Sequence, residues 1–361
     1  MAGITEGAEI LKAISLEPGV SDEFLRRECR LDIKYVSGAP KFKENHASIV
    51  VMSDGEFMTW HQLLMKSQKD SKIVILLGSE TVNLKVIKKL MKLKSVKSIY
   101  MQYRPNYNLL SCIMIIYFFF RDWRGSLFER DFWKILQRGS RRFLKSIYFL
   151  IFARKKKIFS LPLGYTSKFS MAFVNARNFN SQQFADTSLL DLRIVELMNR
   201  KVQVSFRGQI NGPFRRFIYE HKDELSQEIQ MNVNQHWGGD QNEFSNNYVD
   251  ELVNSRFILA LPGHVSNETF RYAEALICGS LPIMTSSSAL DWSNANSPFE
   301  NHDGMLRYSL KTILDFIPKI SEHDRKRLVS REILKLKEMS KSVQNSLQAS
   351  ISELEKDKEL P

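Results

Sequence analysis

The stretch from Ser255 to Ala289 constrains the fold of this chain more than any other. Phe257 to Leu261 is a short apolar run closed by Pro262-Gly263, the pattern of a buried strand ending in a turn. From Asn267 to Ile277, apolar residues recur at helical spacing as Phe270, Ala273, Leu276 and Ile277. Ser266 or Asn267 can cap the first turn, and Gly279 can end the helix. Leu281 to Met284 is a second apolar run. Strand, loop, helix and strand in about 30 residues make one βαβ unit of an α/β sheet. The loop after the first strand, which carries His264 and Ser266, opens onto a helix N-terminus. Free N–H groups and the helix dipole favour an anion such as a pyrophosphate there. Glu268 puts a negative charge in the same turn, to be met by its own helix N-terminus or by Arg271.

Arg271 and Glu274 are three apart and share a face of that helix. Arg271 is close enough to the first turn to reach a phosphate held there. Glu274 lies about one turn deeper, where a carboxylate could accept both hydroxyls of a ribose. An Arg–Glu pair on the outside of an ordinary amphipathic helix has the same spacing, so spacing leaves both readings open.

The first half repeats the architecture. Lys72 to Gly78 is a continuous apolar run, as expected of a strand covered on both faces. An amphipathic helix over 82–93 and a strand over 96–102 complete a second βαβ unit. Gly78-Ser79-Glu80 is not a G-x-G-x-x-G turn, so dinucleotide binding has no support there. Ser48 to Met52 is a further strand candidate, and Asp54 follows it on a turn from which a carboxylate could face a cleft. An ordinary polar turn looks the same. In the second half, Val202, Val204 and Phe206 alternate into Arg207-Gly208. Gly208 would let the backbone approach a ligand, and Arg207 could offer a bidentate fork to phosphate. A helix from Pro213, a strand over 228–234, a loop with His236 and Asp240, and a helix over 247–255 follow. A charged helical tract occupies about 321–354 and is expected to fold back on the first domain.

These motifs carry a resemblance. Ser255-Arg256-Phe257 through Pro262-Gly263, then Arg271-Tyr272-Ala273-Glu274-Ala275-Leu276, then Gly279-Ser280-Leu281-Pro282-Ile283 resemble the C-terminal signature of exostosin-like glycosyltransferases. Ser205-Phe206-Arg207-Gly208 resembles the strand end that opens this domain in the family, and Ile158 to Gly164 its P-x-G link between halves. The likeness covers about residues 200–320. It implies an α/β protein with two Rossmann-like domains facing across a cleft, the GT-B architecture. The expected domains are 1–180 on the acceptor side, 181–320 on the nucleotide-sugar side, and a helical tract over 321–361. Arg207, Gly208, His264, Ser266, Arg271 and Glu274 would bind the donor.

Charge divides the chain unevenly. Residues 51–200 hold 26 Lys and Arg against 10 Asp and Glu, while the remainder holds 26 against 30. The basic excess of the first half would attract an anionic glycan, an anionic membrane surface or nucleic acid. No nucleic-acid motif accompanies the charge, which disfavours the last. Leu109 to Phe120 is apolar but too short to span a bilayer, which needs about 20 residues. With the basic and aromatic segment that follows, residues 109–157 read as a membrane-surface contact or as ordinary helices with lysine-rich outer faces. No basic n-region precedes an apolar core at the N-terminus, whereas many members of the resembled family carry a membrane anchor there. The expectation is a cytoplasmic protein, at most peripheral at the inner face of a membrane. Cys29, Cys112 and Cys278 are odd in number and widely spaced, which argues against a disulfide framework and a zinc site.

Transfer from a nucleotide sugar needs positive charge on the leaving diphosphate. No Asp-x-Asp clamp occurs in the chain, so the resemblance implies a metal-independent, inverting enzyme without a cofactor, whose arginines hold the diphosphate. Inversion also needs a general base, for which Asp54 and Asp240 are the candidates. The acceptor would be a glycan or lipid-linked sugar of cell-surface polysaccharide synthesis. The alternative is a non-catalytic basic protein that binds anionic glycan, membrane or nucleic acid.

Overall fold

The computed structural model describes residues 11–15, 22–35, 48–53, 55–66, 71–77, 84–102, 157–176, 187–192, 200–210, 215, 219–220, 229–233, 246–261, 270–283 and 317–359. Among them the chain forms two parallel sheets. The first holds β1 (Leu11–Ser15), β2 (Leu31–Tyr35), β3 (Ile49–Ser53), β4 (Lys72–Leu77), β5 (Val96–Met101) and β6 (Lys157–Ser160), in the order β2-β1-β3-β4-β5-β6. The second holds β7 (Val202–Gly208), β8 (Ile229–Val233), β9 (Ser255–Leu259) and β10 (Leu281–Ile283), in the order β10-β9-β7-β8. Every pairing among the described residues is parallel, so connections within a sheet must cross over, and described helices lie in five of them; two more helices lie between the sheets and after the last strand.

The helices are α1 (Asp22–Glu28), α2 (Phe57–Lys66), α3 (Leu84–Lys92), α4 (Ser167–Ala176), α5 (Asn246–Asn254), α6 (Phe270–Ile277) and α7 (Glu322–Glu359). The continuous apolar run of β4 is buried along its whole length between β3 and β5, as its composition requires. β2 alternates buried and exposed residues because it lies at the edge. Pro282 is tolerated in β10 because that strand is at the edge of the sheet among the described residues, paired there with β9.

In both sheets the strand order reverses next to the first strand. The reversal falls between β1 and β3 in one sheet and between β7 and β9 in the other. Open α/β sheets form their ligand crevice at the carboxyl ends of the two strands flanking such a point. In the second sheet those ends are Arg207-Gly208 on β7 and the residues that follow Leu259 on β9.

Several caps fix the frame. Thr166 caps α4, accepting the Phe169 N–H at 3.1 Å. Gly279, at φ 72°, ends α6 with two bonds, Gly279 N to Leu276 O at 2.9 Å and Ser280 N to Ala275 O at 2.8 Å. Two buried arginines take further carbonyls at this end. Arg200 donates to Cys278 O at 2.9 Å and Ser255 O at 2.8 Å, and Arg325 donates to Gly279 O. Cations suit a helix C-terminus, where the dipole is negative.

The 38-residue α7 is capped by Ser321, whose Oγ accepts the Asp324 N–H at 3.0 Å and donates to the Asp324 carboxylate at 2.7 Å. It touches both sheets' layers: Tyr272 of α6 donates to Glu332 at 2.8 Å, and Tyr100 of β5 meets Ser346 at 2.8 Å and Ser350 at 3.0 Å. The expectation that the C-terminal tract packs on the first half is thus met. No described helix is long and apolar enough to cross a membrane. Residues 109–156, on which the membrane-contact expectation rested, lie outside the described residues, as does most of the helix expected from Pro213.

Candidate functional site

The carboxyl end of β7 gathers three arginines. Arg271 leaves the first turn of α6, and its Nε donates to the Arg207 carbonyl at 2.5 Å. Its guanidinium lies over the buried Phe206 ring, 5.6 Å from the centroid. It can cross the strand end because residue 208 is glycine: with φ 153°, a Cβ there would stand 2.4 Å from Arg271 Nη2. Gly208 thus admits a side chain of the protein itself, closely and at a backbone angle other residues avoid. Arg215 also lies over Phe206, at 5.8 Å. It donates to Gln209 O at 3.3 Å and Leu261 O at 3.2 Å, joining the ends of β7 and β9 across the reversal point.

Arg207 points to the opposite side of its strand. Its Nε meets Glu251 Oε2 at 2.8 Å, and its guanidinium lies 6.0 Å from the Tyr248 ring centroid. Asn232 on β8 donates to the same Glu251 oxygen at 2.8 Å. Oε1 of Glu251 is buried and finds no hydrogen-bond donor among the described residues. Arg207 therefore does not extend freely toward a ligand; it is held from Nε, with its side chain still about a fifth exposed.

Glu274 corrects an expectation. Its carboxylate was expected to face a ribose, yet it is buried and engaged inside the protein. Oε2 accepts the Tyr248 hydroxyl at 2.6 Å; Oε1 accepts the Thr166 hydroxyl at 3.0 Å and the Thr166 N–H at 3.3 Å. Helix α6 turns Arg271 toward β7 and Glu274 toward α4 and α5, so the two do not form one ligand-facing pair. Burial raises the Glu274 carboxyl above the ordinary glutamate range, against the pull of its donors and of Arg271. The same burial, with Glu274 alongside, pushes the Tyr248 phenol far up. Tyr248 thus stays a neutral donor at any ordinary pH.

The structure brings together Arg207, Gly208 and Arg271 among the residues expected from sequence. Asp54, His236, Asp240, His264, Ser266 and Glu268 lie outside the described residues. Sequence reasoning missed Arg215, Tyr248, Glu251 and Thr166. Thr166 had a signal, a threonine ahead of an apolar-periodic run. Arg215 had none, because Arg215-Arg216 reads as the polar side of a helix.

Chemically, Arg271 and Arg215 stand together over Phe206 at this strand end, while Arg207 on the other side is paired with Glu251. Such a cluster suits a multiply charged anion, since guanidiniums bind phosphate through forked hydrogen bonds.

No family model matches this chain, and no curated protein matches it. Among solved structures the chain is similar to an α1,3-fucosyltransferase, covering 96% of this chain and 93% of that one at 11% identity and a TM-score of 0.40. A likeness this slight does not bear on activity.

Proposed function

We propose that this chain is a glycosyltransferase that takes its sugar from a nucleotide donor. One observation carries the proposal: Arg271 and Arg215 meet over Phe206, beside Gly208, at the carboxyl ends of β7 and β9, where the strand order of the second sheet reverses. That is where a parallel sheet offers its crevice, and two arginines held by backbone carbonyls stand at that point. A diphosphate leaving group gains charge as the glycosidic bond breaks, and preorganised cations stabilise it without rearranging. The motif resemblance in residues 200–320 points the same way and suggests an exostosin-like enzyme with two lobes facing a cleft.

In this reading the second sheet's lobe binds the donor. The basic first half takes a glycan or lipid-linked acceptor, and Asp54 or Asp240 is the base that activates its hydroxyl. Positive charge on the diphosphate comes from arginine, so transfer needs no divalent metal and survives a chelator. Glu274 is left out of donor contact and assigned to the frame.

The test is a thermal-shift screen of UDP, GDP, CDP and CMP on the full chain. A nucleotide at 100 times its Kd should stabilise the fold by about 2.7 kcal/mol. Arg271→Ala should remove that shift while leaving the unliganded melting temperature within a few degrees. The proposal fails if no nucleotide raises the melting temperature, or if Arg271→Ala responds like the wild type.

A further inference from the structure

The outer layer of the first sheet carries a second charged surface, far in sequence from the arginine cluster. Helix α3 turns Val86, Ile87 and Leu90 into the core and leaves Lys85, Lys88, Lys89 and Lys92 exposed, a stripe at helical spacing. Helix α2 buries Phe57, Trp60 and Leu64, and exposes Met58 (56%) and Met65 (47%), seven residues apart on one face. The two helices adjoin: Lys89 Nζ lies 5.7 Å over the Phe57 ring. Neither helix contains an Asp, Glu or Arg. The carboxylate just before α2, Glu56, turns back to accept the Ser53 N–H at 2.7 Å.

We infer that the α2–α3 face docks on an anionic lipid bilayer. Three features select a bilayer over other polyanions. The cations are all lysines, which act as flexible point charges and reach a diffuse anionic plane, whereas forked recognition of single phosphates uses arginine. The two methionines project where an apolar side chain in water gains nothing, and they would enter the acyl boundary. The large aromatic residues of α2, Phe57 and Trp60, are buried beneath, so among the described residues the face offers no exposed Phe, Tyr or Trp ring for stacking bases. This surface is independent of the donor site, and its contact needs no nucleotide.

The full chain is sedimented with vesicles of phosphatidylcholine alone and with 30 mol% phosphatidylglycerol, in a salt series. Binding is expected only with the anionic lipid and should weaken as salt rises. Each lysine near the surface contributes about fivefold. The variant Lys85→Gln/Lys88→Gln/Lys92→Gln should therefore bind about 100-fold more weakly. Met58→Ser/Met65→Ser should bind several-fold more weakly at unchanged charge. All five substituted positions are exposed, and thermal melts matching the wild type check that each variant folds. The inference is overturned if the wild type stays in solution with anionic vesicles, or if either variant binds like the wild type. It is also overturned if a 20-nucleotide oligothymidine binds more tightly than the vesicles and displaces them, since the face would then serve nucleic acid.

Discussion

Replacing Glu274 separates two roles for the same carboxylate. In the structure it accepts three hydrogen bonds, from Tyr248 O–H, Thr166 O–H and Thr166 N–H, in a buried setting. Glu274→Ala strands the Tyr248 hydroxyl and the Thr166 N–H away from water. At about 1–3 kcal/mol for each stranded donor, the expected loss is about 2–6 kcal/mol, a large part of a typical domain's stability. Glu274→Gln should lose less than about 1.5 kcal/mol. Its carbonyl can still accept from Thr166, and its amide can donate to the Tyr248 oxygen, which accepts as readily as it donates. Denaturant unfolding at constant m value gives both numbers.

The pH dependence adds a signature. Burial holds the Glu274 carboxyl above its ordinary value, so the folded state holds the proton more tightly than the unfolded chain. This group's stabilisation is therefore greatest below the unfolded value and falls as pH rises through the folded one. Glu274→Gln should lack that slope. A donor-binding Glu274 predicts the reverse pattern: full stability in both variants, with nucleotide affinity lost in Glu274→Gln. If Glu274→Ala unfolds within 0.5 kcal/mol of the wild type, about the noise expected of a surface change, the framework role is wrong.

The remaining predictions probe the glycines and the acid limb. Gly208→Ala places a methyl 2.4 Å from Arg271 Nη2, and the tip of a long side chain can move, so stability should fall by only about 1–2 kcal/mol. The displaced guanidinium should cost nucleotide affinity about tenfold, and calorimetry on Gly208→Ala/Arg271→Ala should show no loss beyond Arg271→Ala alone. Gly164→Ala differs, because φ is 67° and the new methyl would stand 2.3 Å from the rigid, buried Phe24 ring. A loss of about 2–5 kcal/mol is expected in denaturant melts, and a loss below 1 kcal/mol would contradict the packing. Glu322 is held below the ordinary glutamate range, chiefly by its bond from Arg325. Its stabilisation is present above the unfolded value and is lost as pH falls through the folded one, so Glu322→Gln should flatten the acid limb of stability against pH.

What the chain discloses and what it hides follow from the range of the interactions involved. β4, β5, α6 and β10 were legible because each is an apolar pattern bounded by local punctuation: Gly279 stops α6 through bonds reaching only five residues back. β1 and β2 were not, since Leu11–Ser15 and Leu31–Tyr35 are short and interrupted by charge, and gain their strand state from pairing with each other and with β3. The site divides along the same line. Arg207-Gly208 and Arg271 could be picked out because a strand end and a helix start are local features. That Arg271 would lie across Gly208, 63 positions earlier in the chain, could not.

Glu274 is the sharpest case. Its spacing from Arg271 is a fact about one helix, whereas its role depends on Thr166, 108 residues away in the segment that leads out of β6, and on Tyr248 from α5. A helix face three residues wide can turn one side chain to a ligand and the next to the core, and spacing does not say which. In this chain the carboxylate joins the last described segment of the first sheet's half to the helix that carries Arg271. A shift in that joint would therefore move the arginine, so nucleotide binding and the stability of the Thr166 cap should respond together to any substitution between them.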